Sequence, residues 1–249
     1  MRLALLASLP LIAAGLGTSA LAQDTAPPSA FTITGGATLT SDYRFRGISQ
    51  TNKRVAIQGT LSVAHESGLY GTVWGSSIDD YVINGADAEI DLSVGYRKTF
   101  DGTTVDVGVL YYYYPGSGGV NSDFFEPYAN VSHTFGPLTA KVGVNLAWKQ
   151  HALSYGAGER EGGVYAYGDL SAGIPGTGVT VTGHVGRSFE RNYLTFGEKV
   201  TDWSLTAGYT LKNLTLSVGY VDSNRDLFST GPVRNVSKGG VVAAIGVAF

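Results

Sequence analysis

No cysteine occurs in the 249 residues, so no disulfide braces the fold. After the first 22 residues, no stretch approaches the run of about 20 apolar residues that a membrane helix needs. A mature chain that enters a membrane must therefore do so as a closed barrel, because an open sheet leaves backbone groups unpaired in lipid. A basic excess is also missing. The formal charge is −3, and loss of Arg2 with a leader makes it −4. Nucleic acid, which calls for a basic patch, is excluded as a partner.

What the chain has instead is glycine, 35 residues, and tyrosine, 15 residues. Glycine suits tight turns and crowded walls, and tyrosine suits water–lipid interfaces. The N-terminus reads as a secretory signal peptide. Met1-Arg2 is followed by an apolar run from Leu3 to Leu16, and Ala20-Leu21-Ala22 has the small-x-small form, placing cleavage after Ala22. That run is short for a membrane anchor. Residues 23–30, with Pro27-Pro28, read as a flexible leader, and residues 31–249 as one barrel.

The clearest repeat lies between Asp87 and Tyr114. Ala88, Ile90, Leu92, Val94 and Tyr96 alternate with Glu89, Asp91, Ser93, Gly95 and Arg97. After Asp101-Gly102, a dipeptide suited to a tight hairpin, Val105, Val107, Val109, Tyr111 and Tyr113 alternate with Thr104, Asp106, Gly108 and Tyr112. A period of two means strands with opposite faces. If the apolar face meets lipid and the polar face lines a lumen, the hairpin is one unit of an outer-membrane barrel.

Twelve such runs follow: 31–43, 53–65, 69–79, 87–99, 103–113, 124–135, 138–148, 163–173, 178–189, 201–211, 214–222 and 239–249. Five connections are tight: Ser67-Gly68, Asp101-Gly102, Gly136-Pro137, Pro175-Gly176-Thr177 and Lys212-Asn213. Six are longer: 44–52, 80–86, 114–123, 149–162, 190–200 and 223–238. Long and short alternate strictly. The fold class is thus all-β, an antiparallel up-and-down transmembrane β-barrel with short periplasmic turns and longer outer loops. A soluble sandwich has no reason to alternate its loops this way.

The topology sorts the outward aromatics into two belts. Phe31, Tyr96, Phe135, Tyr209 and Phe249 fall near periplasmic ends. Tyr43, Tyr111, Tyr113, Phe125, Trp148, Trp203 and Tyr220 fall near outer ends. The last strand alternates Val241, Ala243, Ile245, Val247 and Phe249, the form that the bacterial barrel-assembly machinery recognises.

Leu39 to Thr51 reads Leu-Thr-Ser-Asp-Tyr-Arg-Phe-Arg-Gly-Ile-Ser-Gln-Thr. Further pieces are Gly68-Leu69-Tyr70-Gly71, Val73-Trp74-Gly75-Ser76, Glu89-Ile90-Asp91-Leu92 and Val109 to Gly116. Together they resemble the TorF family of porins, a proteobacterial group first catalogued as conserved hypothetical proteins. That resemblance implies an outer-membrane barrel with a transport role and no catalytic residues.

Within the first motif, Asp42, Arg44 and Arg46 share the polar parity of strand 1, and Tyr43 and Phe45 the apolar one. Two arginines and an aspartate at a barrel mouth suit an anion site, contacts to lipopolysaccharide phosphates, or a salt bridge that pins the first loop; the last is preferred. The expected inward acids are Asp42, Glu66, Glu89, Asp91, Asp106, Glu126, Asp169 and Asp202. The expected inward bases are Arg44, Arg46, Arg97, Lys141 and Lys149. A water-filled lumen with that balance favours cations. Twelve strands lie between the eight that fill with side chains and the sixteen that leave a channel. Inward Tyr112, Tyr114, Tyr128, Tyr165 and Tyr167 are expected to narrow the passage.

Of the histidines, His65 and His133 read as interfacial and His151 as loop, while His184 points inward near Thr182 and Ser188. A Ser–His–acid site with Asp169 or Asp202 is the enzymatic alternative, without a local nucleophile motif. No metal or cofactor spacing is present. The reading is a channel for passive diffusion of small solutes in the bacterial outer membrane, lined by Asp42, Arg44, Arg46, Glu89, Asp91, Arg97, Asp106, Glu126, Lys141, Asp169, His184 and Asp202. Its partners are outer-membrane lipid and lipopolysaccharide, the barrel-assembly machinery and small solutes. The rivals are a closed barrel with binding loops, a membrane hydrolase and a soluble periplasmic β-protein.

Overall fold

The computed structural model describes residues 30–156, 158–227 and 233–249. The signal peptide and the leader before Ala30 lie outside those residues. The strands are β1 (Phe31–Thr40), β2 (Arg44–Phe45), β3 (Ile48–Ser49), β4 (Ala56–His65), β5 (Leu69–Ser77), β6 (Ala88–Phe100) and β7 (Thr103–Tyr113). They continue as β8 (Phe124–Phe135), β9 (Leu138–Gln150), β10 (Glu161–Gly173), β11 (Val179–Ser188), β12 (Thr201–Leu211), β13 (Leu214–Ser223) and β14 (Gly240–Ala248). All but β2 and β3 form one closed barrel of twelve strands, in which β1 pairs antiparallel with both β4 and β14. Two short 3₁₀ turns, His151–Leu153 and Tyr193–Thr195, interrupt long loops. Among the described residues, no helix is long and apolar enough to cross a membrane; a barrel crosses with strands.

The alternation in sequence becomes two faces. On β6, Leu92, Val94 and Tyr96 are 43%, 61% and 42% exposed, whereas Glu89 and Asp91 are 3% and 1% exposed. An outer wall this apolar belongs in lipid rather than water. Asp101 and Gly102 both take positive φ, 47° and 76°, the primed turn that matches strand twist. The hairpin register then sets Arg97 opposite Asp106 on the inner face.

The two ends of the interior differ. Toward the short turns, hydroxyl pairs cross between strands: Ser62 with Thr72 at 2.8 Å, Ser171 with Thr182 at 2.9 Å and Thr210 with Thr215 at 3.0 Å. Tyr70, Tyr128 and Tyr167 are paired in register with Gly95, Gly108 and Gly143 of neighbouring strands. A Cβ on any of these glycines would strike the facing ring. The rings therefore lie along the wall, covering glycines. This corrects the expectation that Tyr128 and Tyr167 narrow the passage: a neighbour without a side chain lets the ring fold back.

Toward the long loops, the interior is a true apolar core. Tyr43, Trp74, Val82, Ile83, Tyr112 and Phe124 are among its buried members, with Phe45, Tyr193 and Leu194 packed against it. Here a second expectation fails. Strand 1 does not run to residue 43. Its pairing with β4 ends at Thr40 opposite Ala56, and the chain then turns into the barrel. Strand parity therefore does not govern residues 41–55. Tyr43, expected in the outer aromatic belt, is only 4% exposed and sits inside. The physical reason is local: Asp42, Arg44 and Ser49 find their polar partners in one another and in the far loop, which outweighs continued edge pairing. Glu66 and Lys149, expected inward, are exposed, in a short turn and at the rim respectively.

Candidate functional site: an inward hairpin and the wall it meets

Residues 41–55 form a loop folded into the long-loop end. Its core is a miniature hairpin in which Arg44 pairs with Ser49 and Phe45 with Ile48. The two turn residues, Arg46 and Gly47, have φ of 49° and 81°, again a primed turn. Glycine is required at the second position twice over. Its φ disfavours other residues, and a Cβ there would come within 2.7 Å of the Asp202 Cβ.

The base of the hairpin is fixed by Asp42. Its carboxylate accepts from Arg44 Nε at 2.6 Å and from Ser49 Oγ at 2.6 Å. Arg44 Nη1 donates onward to the carbonyls of Gly47 at 2.9 Å and Val236 at 3.2 Å. The tip is fixed by Arg46. One of its Nη atoms donates to both Glu126 oxygens, at 2.8 and 2.7 Å. Its guanidinium also lies 4.6 Å from the Phe45 ring centroid and 4.2 Å from that of Tyr165, a stacking role suited to arginine. Burial alone would lower the Arg46 pKa, but the Glu126 charge and the neighbouring tyrosines raise it, so the tip stays cationic. Glu126 accepts two more bonds at 3.0 Å, from the Tyr112 hydroxyl and Asn145 Nδ2.

A second tether joins loop and wall. The Tyr43 hydroxyl donates to Glu89 at 2.7 Å, with its ring edge-on to Trp74. Other loops close over the hairpin. The Tyr193 hydroxyl donates to the Val82 carbonyl at 2.6 Å, and the Tyr81 hydroxyl to the Ser49 carbonyl. Between hairpin and wall, the space bounded by Phe45, Glu89, Tyr112, Tyr114 and Tyr193 is about 20 Å³, room for about one water molecule.

Deeper residues form separate clusters. Arg97 pairs with Asp106 at 2.9 Å, and the Tyr70 hydroxyl donates to the same carboxylate at 2.7 Å. Lys141 lies 5.6 Å from the Tyr167 ring centroid. His184 is held between two acids, Asp169 at 2.6 Å on Nδ1 and Asp202 at 3.1 Å on Nε2. Asp91 is buried, and neither of its oxygens has a hydrogen-bond partner among the described residues. Among the described residues no group of three or more His, Cys, Asp or Glu could hold a metal ion.

The structure thus brings Arg46 and Glu126 together, joins His184 to Asp169 and Asp202, and joins Arg97 to Asp106. It keeps Asp42 and Arg44 within the loop rather than on the wall. The Ser–His–acid alternative loses its geometry. Both His184 nitrogens face carboxylates, and Ser188 is four strand residues away, about 13 Å along the chain. Reading strand 1 through the motif hid the hairpin. The signal was present: an X-Gly pair, Arg46-Gly47, between the apolar residues Phe45 and Ile48.

Residues 24–249 match the family described as "Bacterial protein of unknown function (Gcw_chp)". No curated protein matches the sequence. Among solved structures, the fold resembles the NanC porin, with 15% identity, a TM-score of 0.57, and coverage of 88% of this chain and 99% of that one. It also resembles the KdgM porin solved with disordered oligogalacturonate, with 8% identity, a TM-score of 0.56, and coverage of 88% and 98%. An outer-membrane channel from Pseudomonas putida F1 is similar at 12% identity and a TM-score of 0.51, over 90% of this chain and 99% of that one. These likenesses establish the barrel architecture.

Proposed function

We propose that this chain, which belongs to the Gcw_chp family of bacterial proteins of unknown function, is an outer-membrane channel for small solutes, closed at its outer end by the residue 41–55 hairpin. The observation that carries this reading is the interior. Its inner half is lined with hydroxyls and charged groups rather than packed with aliphatic side chains, as a purely structural barrel of this size would permit. The TorF resemblance and the likeness to porins point the same way. The wall belongs in the outer membrane, with lipopolysaccharide around it and the Phe249 strand as the signal for the assembly machinery.

The charge inventory favours weak cation preference. Asp42 with Arg44, Glu126 with Arg46 and Asp106 with Arg97 cancel. Asp169 and Asp202 share one histidine. Glu89 and Asp91 have no cation in contact among the described residues. With the hairpin displaced, that carboxylate excess would face a hydrated path and attract cations.

The test is single-channel recording of the purified barrel in a planar bilayer under a salt gradient. Discrete steps with a cation-selective reversal potential are expected. Silence from both the unaltered barrel and its Arg46→Ala variant, each still shifting on heating in a gel, would reject conduction. That result would favour the second reading, a closed barrel working through its outer loops, to which the apolar roof over the hairpin lends weight. Deleting residues 149–162 or 223–238 would then abolish its function.

A further inference from the structure

The outer aromatic belt has a gap. Tyr111 and Tyr113 on β7, Phe125 on β8, Trp148 on β9, Trp203 on β12 and Tyr220 on β13 mark the long-loop end of the wall. On β14, β1 and β4 the outward residues at that level are aliphatic. Val241 is 69% exposed, Leu39 50% and Ile57 67%, with Val55 just beyond β4 at 62%. The register sets Ile57 beside Leu39 and Leu39 beside Ile245, giving a continuous row across three strands.

Directly above this gap stands a cluster of cations from two loops. Lys53 and Arg54 come from the hairpin loop, three and two residues before β4 begins, and Lys238 lies two residues before β14. Arg234 completes the group. By strand rise, Lys53 and Lys238 lie within about 10 Å of the wall's edge. The cluster is built rather than incidental. Lys53 Nζ donates to the Lys238 carbonyl at 3.0 Å, and the Arg234 backbone N–H donates to Asn52 Oδ1 at 2.7 Å. Asn52 and Lys53 are successive non-glycine residues at φ 51° and 57°, a conformation that persists only where surroundings enforce it. Burial first, and then the charges of Arg44, Lys238 and Arg234, lower the Lys53 pKa against the opposing pull of Asp42. Among the described residues, no acid forms an ion pair with Lys53, Arg234 or Lys238. Asp79 lies 3.3 Å from Arg54, Asp226 accepts from Asn235, Asp222 accepts from Tyr220, and Asp42 is buried against Arg44.

We infer that this face, the basic cluster of Lys53, Arg234 and Lys238 above the aliphatic strip on β14, β1 and β4, is a docking site for a phosphorylated glycolipid of the outer leaflet, its phosphates on the cations and its acyl chains on the strip. Charge complementarity selects an anionic headgroup. An interface lacking aromatic rings leaves a flat aliphatic wall for straight chains. The inference rests on the outer-membrane reading alone and not on conduction.

The test is native mass spectrometry of the folded full chain in detergent, titrated with bisphosphorylated lipid A. The triple variant Lys53→Gln, Arg234→Gln and Lys238→Gln should weaken binding by about tenfold or more. Monophosphorylated lipid A should bind the unaltered chain more weakly than the bisphosphorylated form. A control variant, Lys149→Gln, Arg160→Gln and Arg191→Gln, removes three cations elsewhere and should bind as the unaltered chain does. Equal binding by all three proteins, or equal loss in both variants, overturns the site. Indifference of the unaltered chain to phosphate number overturns it too, whatever the folding of the variants. A dimer in detergent that lipid A neither binds nor dissociates gives the face to a second copy and likewise overturns it. An electrically silent barrel that still discriminates lipid A rejects the channel and leaves the site standing.

Discussion

The two halves of the interior solve opposite problems with the same strands. At the short-turn end, polar side chains pair between adjacent strands, and tyrosines lie flat on facing glycines. The longest of these reaches run along the wall, where the Tyr70 hydroxyl on β5 meets Asp106 on β7 and the Tyr128 hydroxyl on β8. At the long-loop end, a hairpin enters from outside the sheet and meets β8 through Arg46 and Glu126 and β6 through Tyr43 and Glu89. Those contacts link residues 80 and 46 apart in the chain. The lesson is that a barrel wall leaves its bore undecided. Whether the bore is open depends on a segment that is not part of the wall and is held by a small number of polar contacts.

The strongest way to break this contrast is Arg46→Ala. Glu126, 2% exposed in its side chain, would be left buried without its cation, a loss of about 3–5 kcal/mol for a pair of this kind. The expected result is a large rise in open-channel activity in bilayer recordings while the barrel still assembles. An unchanged trace would mean that the tip does not hold the closure. Tyr43→Phe removes one bond to a buried carboxylate, about 1.5–3 kcal/mol. It should open the channel less often than Arg46→Ala, measured in the same recordings, and greater opening than Arg46→Ala would reverse the assigned order of the two tethers.

The other half is probed by Gly143→Ala. The added Cβ meets the Tyr167 ring, and overpacking of this kind costs about 1–3 kcal/mol. A lower temperature for the heat-induced gel shift is expected, with gating unaffected; altered gating would show that the halves are coupled after all. The smallest effect is reserved for Glu89→Gln with Asp91→Asn. Removing these two carboxylates, which touch no cation among the described residues, should move the reversal potential toward zero, and Gln at 89 keeps an acceptor for the Tyr43 hydroxyl. If selectivity stays the same, cation preference arises elsewhere in the lumen.

Much of this was legible in the residue order. Alternation at period two gave the strands, and loop lengths gave the topology, because both are properties of neighbouring residues. Glu89, Asp91, Asp106 and Glu126 could be placed on the inner face for the same reason: a strand's parity persists as long as its pairing does. Tyr43 and the residues after it could not, since pairing stops at Thr40. What replaces it depends on Val236, Glu126 and Tyr165, which are distant in the chain. The cations Lys53, Arg234 and Lys238 were invisible as a group, Lys53 lying 181 and 185 residues before the other two until β1 draws β4 and β14 to its two sides.

The sequence by itself determined a closed antiparallel barrel with an apolar outside and a charged inside, because backbone pairing in a membrane allows hardly any other use of such strands. Only the tertiary structure decided that the bore is stoppered, that tyrosines fold onto glycines, and that two loops share one basic face. Those outcomes turn on side chains meeting across the ring, and no local pattern encodes which of them will meet.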